Sequence, residues 1–289
     1  MKLALGTAQF GMKYGVANKH SDFSLEKISE ILQYAKKNNI NTLDTAVSYG
    51  EAERRLGEIG VNEWNIITKL HSSRKDQNDP SGWLDKQIEA SLHNLRIHKL
   101  SGVLVHDANL LKERDGKLIW QRLNQLKDQG LVEKVGISIY QPLELELLYD
   151  EFNFDIIQAP FNVFDRRIEK TGWLDKIEKE NKELHIRSIF LQGLLLMRSD
   201  LRPKKFKAWQ QTWEKWESWL LDNKLNALEA CIGMVFSSPG ISKIVVGIDS
   251  LKQLKEIVTS IKKIHSIKTP SYLTCEDELL INPSNWNSL

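Results

Sequence analysis

The sequence predicts an α/β protein of the (β/α)8 TIM-barrel class, organised as a single domain over residues 1–289. Eight short apolar runs alternate with longer amphipathic segments from one end of the chain to the other. Runs that are apolar throughout are typical of parallel strands buried on both faces, and eight repeats in this length favour closure into a barrel. An open, doubly wound sheet is the runner-up, but no Gly-x-Gly-x-x-Gly motif follows the first run.

The predicted strands are, in order, KLALG, NTLDT, NIITKL, GVLVH, EKVGIS, FDIIQA, LHIRSIF and KIVVGI. The helix-like segments between them include SLEKISEILQYAKKNN, GWLDKQIEASLHNLRI, GKLIWQRLNQLKDQG, DKIEKENKE and SLKQLKEIVTSIKKI. In the first of these segments, apolar residues recur at steps of three and four from Leu25 to Ala35, which defines one helix face. Ser24 stands just before this face, in the position of an N-cap.

The composition is that of a globular protein, with 41% apolar residues, 27% charged residues and a net charge of +2. Because basic and acidic residues are mixed throughout, no nucleic-acid-binding stripe is predicted. Cys231 and Cys275 lie far apart without metal-ligand spacing, which favours a reducing cytosol over a disulfide framework. We expect no signal peptide and no membrane-spanning segment. The expectation is a cytoplasmic protein, monomeric or weakly homo-oligomeric, with no nucleic-acid or membrane partner.

Two segments exceed a minimal barrel. The first, FKAWQQTWEKWESWLLDN, predicts an extra Trp-rich helix (Trp209–Trp219) before the last repeat. Its aromatic stripe either packs on the barrel as core or forms a wall for a substrate or partner. The second is a C-terminal extension from about Lys268, which is either a packed extension or a flap over the barrel mouth.

Ionisable residues stand at the ends of three successive predicted strands. Asp44 ends the second strand and Tyr49 follows it, Lys69 ends the third, and His106 ends the fourth. Consecutive strands of a barrel are neighbours, and barrel enzymes carry their chemistry at the carboxyl ends of the strands. Each residue alone is a weak signal, but together they predict one site at the barrel mouth. No cluster with metal-ligand spacing accompanies them, so we predict no metal.

These residues lie in motifs that resemble the aldo-keto reductase family over nearly the whole chain. The motifs are LGTAQFG, LDTAVSYGEAERRLG, ITKL, LVHD, VGISIY, IIQAPFNVFDRR, SIFLQGLL and VVGIDSLKQLKEI. Within the family, LGTAQFGMKYGVAN and IRSIFLQGLL are similar to a bacterial branch linked with surface-sugar biosynthesis. The resemblance implies reduction of an aldehyde or ketone, here a keto-sugar by preference, to an alcohol with hydride from NADPH or NADH.

The resemblance also assigns roles to the strand-end residues. Tyr49 is expected to act as general acid, and Lys69 to lower its pKa, since a nearby cation favours the phenolate. Asp44 is expected to pair with Lys69, and His106 to hydrogen-bond and orient the carbonyl oxygen. The expected cofactor-binding residues are Gly6, Thr7, Asp44, Ser138, Gln158, Arg187, Gly247, Asp249, Ser250 and Gln253.

The chain departs from the family pattern at several of the cofactor positions. Ile139 stands where many members have Asn, and Arg187 where many have a Tyr that stacks on the nicotinamide. Gln253 and Ile257 stand where many have Arg and Asn. Lys252 and Lys255 lie nearby, so we predict modest discrimination that slightly favours NADPH. Independently of any cofactor, Asp249 or Ser250 is also suited to act as an ordinary N-cap.

Two other functions remain as alternatives. One is a non-catalytic NAD(P)-binding regulatory subunit, and the other is a Schiff-base lyase with Lys69 as nucleophile. The lyase needs a lysine with a lowered pKa, whereas Asp44 would keep Lys69 charged. For the substrate, Phe10, Met12 and Tyr14 are expected near the mouth, and Trp83 or the Trp-rich helix is expected to add aromatic wall.

Overall fold

The computed structural model describes residues 1–16, 23–71, 79–263 and 266–288. Eight parallel strands hydrogen-bond in sequence order, and β8 pairs with β1 to close the barrel. The strands are β1 Leu3–Gly6, β2 Thr42–Asp44, β3 Asn65–Lys69, β4 Gly102–Val105, β5 Val135–Ser138, β6 Ile156–Pro160, β7 Glu183–Arg187 and β8 Ile241–Gly247. The predicted (β/α)8 barrel is confirmed, and each strand lies within or overlaps its predicted run.

Helices cover the outside of the barrel. They are α1 Ala8–Gly11, α2 Leu25–Lys37, α3 Ala52–Ile59, α4 Pro80–Leu95, α5 Asn109–Lys112, α6 Gly116–Asp128, α7 Pro142–Leu148, α8 Arg167–Lys170, α9 Trp173–Lys179, α10 Gln210–Asp222, α11 Ala227–Ser237, α12 Leu251–Lys263 and α13 Glu278–Ile281. Ser24 caps α2 as predicted, because its hydroxyl accepts the Lys27 N–H at 3.4 Å. Ile264, the predicted last residue of α12, lies outside the described residues.

Strand β7 is shorter than its predicted run, which extended to Phe190. The strand ends at Arg187, and Ser188 has a φ of 61°, in the left-handed region that ends extended structure. Leu191 and Gln192 follow with φ of 49° and 51°. The apolar residues after Arg187 therefore belong to a loop at the barrel mouth.

The core has two parts. A large apolar layer lies between the barrel and its helices, and a separate buried cluster joins Ile67, Leu104 and Ile156 of three strands. The strands approach each other closely here, since a Cβ on Gly136 would collide with the backbone oxygen of Ile156. This packing makes the barrel a rigid support for the residues at its carboxyl end.

The Trp-rich segment forms a 3₁₀ turn, Lys204–Trp209, followed by α10. Trp213 and Trp216 are almost fully buried, and their rings contact Phe164 at centroid distances of 5.1 and 6.3 Å. The indole N–H of Trp216 donates to the backbone oxygen of Leu195 at 3.2 Å. The stripe is thus part of the core, as the first of the two interpretations held.

The C-terminal extension packs against this same region. Trp286 is buried, and its ring lies 4.9 Å from that of Phe206 between centroids. Glu278 pairs with Arg167 at 3.1 Å, and the Cys275 N–H donates to the Phe164 oxygen at 2.9 Å. Over its described residues the extension is packed on the protein. Among the helices that the structure describes, none has the length and apolarity needed to cross a membrane.

Candidate active site

A buried ion pair lies where β2 and β3 end. Lys69 Nζ donates to Asp44 Oδ1 at 2.6 Å and to the Thr45 backbone oxygen at 3.0 Å. The Lys69 side chain is 1% exposed and that of Asp44 5%. The parallel register that pairs Asp44 with Ile67 brings the two strand ends together. A buried ammonium is tolerated only with such partners.

Tyr49 lies in the turn after β2 and faces this pair. Lys69 Nζ lies 3.5 Å from the Tyr49 hydroxyl oxygen and donates to it. The turn packs tightly against the first loop, since a Cβ on Gly11 would collide with the Tyr49 backbone oxygen. The three N–H groups of Lys69 are therefore directed at Asp44, Thr45 and Tyr49. Because an ammonium cannot accept, the Tyr49 hydroxyl proton is available to another acceptor.

His106 follows β4 directly and completes the predicted group. Its ring packs edge-on to the Tyr49 ring, with centroids 6.1 Å apart at an interplanar angle of 82°. Burial, together with the charges of Lys69 and Arg187, lowers the pKa of His106 to about 3. The imidazole is neutral at neutral pH, so it carries one N–H that can donate. The structure thus brings together Asp44, Tyr49, Lys69 and His106, which the sequence predicted as one site.

The expectation that Lys69 lowers the pKa of Tyr49 is not met in this site. Burial, and then the charge of Asp44, raise the pKa of Tyr49 above its ordinary value, and Arg187 opposes them. Because Asp44 is 2.6 Å from Lys69, its charge offsets that of the ammonium at the phenol. Tyr49 therefore keeps its proton throughout the physiological pH range.

Three of the predicted cofactor-binding side chains hold Asp44 in place. Gln158 Nε2 donates to Asp44 Oδ2 at 2.8 Å, and the Ser138 hydroxyl donates to Gln158 Oε1 at 3.5 Å. The Thr7 hydroxyl donates to the Asp44 backbone oxygen at 3.2 Å. All three side chains are buried. In this structure their polar groups support the carboxylate that pairs with Lys69.

Arg187 is the last residue of β7 and lies near Tyr49 and Tyr140. Its guanidinium carbon lies 4.6 Å from the Tyr140 ring centroid, and Nη2 donates to the Ile139 oxygen at 3.0 Å. Tyr14 approaches the same region from the first loop, and its pKa, raised mainly by burial, also responds to Tyr49 and Arg187. Tyr140 was not among the predicted site residues. Its place two residues after Ser138, at a strand end, was the available signal.

A cleft of about 720 Å³ opens above these groups. It extends from Asp44 and Tyr49 to the first turns of α12. The predicted cofactor-binding residues that line it are Gly6, Asp44, Arg187, Gly247, Asp249 and Gln253. Ser250 is not among the lining residues, and its hydroxyl accepts the Gln253 N–H at the start of α12 at 3.2 Å. The alternative N-cap role is thus realised by Ser250.

Several groups of the cleft were missed in the sequence. Gln9 is buried against Gly247, where a Cβ would lie 2.5 Å from the Gln9 Nε2, and its Oε1 has no hydrogen-bond partner. Asn226 begins α11 at the cleft wall with a capping box to Glu229. The Asn-x-x-Glu spacing was a readable helix start. Its position at the cleft depended on the fold.

The expected aromatic wall is only partly present. Of the residues proposed for it, Tyr14 lines the cleft, whereas Phe10 is buried against Phe23 at a centroid distance of 5.3 Å. Met12 is exposed, and Trp83 packs against the core. The Trp-rich helix contributes no described residue to the cleft. Residues 17–18 of the predicted opening loop lie outside the described residues.

The cleft fits an elongated ligand of dinucleotide type. Its volume is within the range of small-molecule and cofactor sites. Gly247, which has no Cβ, leaves room for the Gln9 side chain, whose buried Oε1 has no hydrogen-bond partner among the described residues. One end holds proton-donating side chains, and the other meets the N-terminus of a 13-residue helix. Within the described ranges, no group of His, Cys, Asp and Glu residues could hold a metal ion.

The profile of the aldo/keto reductase family matches residues 2–272. The chain belongs to this family. This aldo/keto reductase is similar to the uncharacterized oxidoreductase YqkF of Bacillus subtilis (strain 168), with 23% identity over 278 residues. The match covers 88% of this chain and 89% of YqkF. It is 30% identical over 141 residues to chloroplastic pyridoxal reductase of Arabidopsis thaliana, which covers 43% of this chain and 38% of that protein.

Solved aldo/keto reductase structures share the fold. The holo form of AKR11C1 from Bacillus halodurans superposes with a TM-score of 0.73 at 19% identity, covering 92% of this chain and 88% of that one. Glycerol dehydrogenase AKR11B4 from Gluconobacter oxydans gives 0.69 at 21% identity, with the same coverage of 92% and 88%. Family membership makes the chain an oxidoreductase of the NAD(P)H-dependent, carbonyl-reducing kind.

Proposed function

We propose that this protein reduces an aldehyde or ketone to an alcohol, with Tyr49 as the proton donor and NADPH or NADH as the hydride donor. The observation that carries the proposal is the Lys69 ammonium, which is held by Asp44 and donates to the Tyr49 hydroxyl at the floor of the cleft. When bound, the nicotinamide cofactor supplies the hydride, which no side chain can supply. The protein's own residues manage the proton and the orientation of the carbonyl.

Tyr49 suits the proton donor's role because its O–H has no competing demand from Lys69. A carbonyl oxygen that gains negative charge becomes a stronger base than a phenolate, so the proton moves to it despite the raised pKa of Tyr49. As the proton leaves, the oxygen of Tyr49 gains negative charge. The Lys69 N–H that already points at this oxygen then becomes a charge-assisted hydrogen bond.

His106 acts as a neutral donor to the same carbonyl oxygen. Its ring borders Tyr49, and its low pKa keeps it uncharged. A neutral imidazole orients and polarises the carbonyl without adding another buried cation beside Lys69 and Arg187. The two donors together define where the substrate oxygen is held.

The geometry weighs against the lyase alternative. A lysine that forms a Schiff base must be neutral and reachable, whereas Lys69 is 1% exposed and 2.6 Å from the Asp44 carboxylate. A regulatory subunit that only binds the cofactor would not need Asp44, Tyr49, Lys69 and His106 to be assembled in one site. Reduction of a carbonyl accounts for each of them.

The substrate class within carbonyl compounds remains a proposal. The cleft wall from the loop after β7 is largely apolar, with Ile189, Phe190, Met197 and Leu201. This wall and Tyr14 suit a ring-shaped substrate, and a keto-sugar is the sequence-based preference. Pyridoxal, the aldehyde named in the partial relative from Arabidopsis thaliana, is an aromatic ring compound that belongs beside keto-sugars in a test panel.

The test has two stages. The purified protein, dialysed against a chelator, is titrated with NADPH and with NADH while nicotinamide fluorescence is followed; we expect binding without added metal. Oxidation of the bound cofactor is then timed in a single turnover with a panel of aldehydes, ketones and keto-sugars. Binding with no turnover on any member of a broad panel would move the assignment to a cofactor-binding subunit. Failure to bind either cofactor would reject the proposal.

A further inference from the structure

We infer that Arg187 makes the protein selective for the reduced form of its cofactor, because its positive charge lies at the end of the cleft where the nicotinamide ring changes charge. This inference rests on the proposed function, since it requires a nicotinamide dinucleotide in the cleft. The hydride must reach a carbonyl carbon whose oxygen is held at Tyr49, so the nicotinamide ring lies at the Tyr49 end. Arg187 lines the cleft and is close enough to act on the pKa of both Tyr49 and His106.

The charge of Arg187 is not offset by a carboxylate within ion-pair distance among the residues that the structure describes. Nη2 donates to the Ile139 oxygen at 3.0 Å, and Nη1 donates to the Ser188 hydroxyl oxygen at 3.3 Å. The guanidinium carbon lies 4.6 Å from the centroid of the Tyr140 ring. These neutral partners hold the guanidinium at the cleft without cancelling its charge. Because arginine stays protonated in proteins, the charge is permanent.

The four residues of the predicted tetrad add no net charge to that of Arg187. Asp44 and Lys69 form an ion pair at 2.6 Å, in which the two charges offset each other. The pKa of Tyr49 is raised and that of His106 is lowered to about 3, so both groups are neutral at neutral pH. Within the described ranges, the tetrad and Arg187 together therefore carry one uncompensated positive charge.

Three other charged residues line the cleft within the described part of the chain. Arg198, on the loop after β7, has a side chain that is 79% exposed and pairs with Asp200 at 3.1 Å. Asp249 lies between β8 and α12, and Glu256 lies within α12, at the opposite end of the cleft from Tyr49. Solvent and a carboxylate weaken the first charge, and distance weakens the other two. The nicotinamide ring therefore meets the charge of Arg187 most directly.

The two forms of the cofactor differ in the charge of this ring. Loss of the hydride converts an uncharged dihydropyridine into a pyridinium, which carries one positive charge. A fixed cation repels the pyridinium and leaves the uncharged ring unaffected, and the repulsion is strongest where water is excluded. A neutral side chain, such as the Tyr that many family members have in place of Arg187, would not make this distinction. The protein would thus take up the reduced cofactor and release the oxidised one readily, which favours carbonyl reduction.

Dissociation constants for the reduced and oxidised forms of the same cofactor, measured by calorimetry on the full chain, test the inference. We expect the reduced form to bind at least about tenfold more tightly, which raises the reduction potential of the bound couple by about 30 mV. The comparison is made for NADH with NAD⁺ and for NADPH with NADP⁺. Equal binding, or tighter binding of the oxidised form, would overturn the inference while leaving the proposed function intact. If no form of either cofactor bound, the proposed function would fail and the inference with it.

Variants of Arg187 separate its charge from its packing. Arg187→Met removes the charge and keeps a long side chain, and we expect it to narrow the ratio at least about fivefold through tighter binding of the oxidised form. Arg187→Gln, which can still donate to the Ile139 oxygen, should act in the same direction and serves if Arg187→Met folds poorly. Arg187→Lys keeps the charge and should keep most of the ratio. If all three variants shifted both constants alike, Arg187 would have a structural role only and the inference would be wrong.

Arg198→Gln is the matched control, because it removes a second arginine that lines the same cleft. Its charge is exposed and paired with Asp200, so the ratio of the two constants should stay unchanged. A ratio that narrowed as much in Arg198→Gln as in Arg187→Met would overturn the assignment to Arg187.

Discussion

Lys69 Nζ lies 2.6 Å from Asp44 Oδ1, although the two residues are 25 apart in the chain. Their strands are neighbours in a closed parallel barrel, so both side chains emerge at the same rim. The pair is buried, and its remaining hydrogen bonds go to Thr45, Gln158 and Tyr49. Each of these contacts has a consequence that can be measured.

Replacing Tyr49 by Phe removes the hydroxyl and keeps the ring. We expect the single-turnover rate of carbonyl reduction to fall by about 10²–10⁴, the contribution of a general acid. Affinity for the cofactor should change only a few-fold, because the ring still packs against His106. Rapid mixing with a reactive aldehyde measures the rate, and fluorescence titration measures the affinity. Equal rates in the two proteins would remove Tyr49 from the reaction.

Replacing Lys69 by Met leaves Asp44 buried without its charge partner. We expect a loss of stability of about 3–5 kcal/mol, the usual cost of breaking a buried pair on one side. The double variant with Asp44→Asn should recover part of it, since the unpaired charge is gone. Urea unfolding gives the free energies of both. The matched control is Lys36→Met, which breaks the exposed pair with Glu63 and should change stability little.

The pH profile of the reaction follows from two displaced pKa values. The pKa of Tyr49 is raised and that of His106 is lowered to about 3, so neither group changes charge between about pH 5 and 9. Single-turnover rates should be flat over this interval, fall in acid as His106 takes up a proton, and fall in strong alkali as Tyr49 loses one. A limb centred near pH 7 would show that one of these assignments is mistaken.

The Trp-rich helix should matter for stability and not for the ligand. Trp216 is almost fully buried against Phe164, and we expect Trp216→Ala to cost about 3–5 kcal/mol of unfolding free energy. Cofactor affinity of the folded fraction should stay unchanged, because the helix does not border the cleft. Leu221→Ala, on the exposed side of the same helix, is the control and should be nearly neutral. A large loss of cofactor affinity with intact stability would restore the idea of a tryptophan wall.

The local sequence pattern predicted correctly those features that depend on a single helix or strand. The Ser24 cap, the helix face and the strand runs depend on neighbours within a few residues. The structure has the cap, the strands and the buried face from Ile28 to Ala35, whereas Leu25 is exposed. The prediction that β7 continues past Arg187 was wrong, because the apolar residues that follow are equally suited to a strand and to a buried loop. The left-handed φ of Ser188 decides between them, and composition does not record it.

The sequence by itself determined the barrel, the strand-end positions of Asp44, Lys69 and His106, and the family, because periodicity and motifs are local properties of the chain. Only the tertiary structure decided the pKa of Tyr49 and which charged side chains line the cleft. It buried Tyr49 beside Asp44, and burial first and the charge of Asp44 second raise the pKa of Tyr49. It also placed Lys252 outside the cleft and Asp249 within it. Charges act through distance and burial in three dimensions, and residues separated by tens of positions acquire both only when the chain folds.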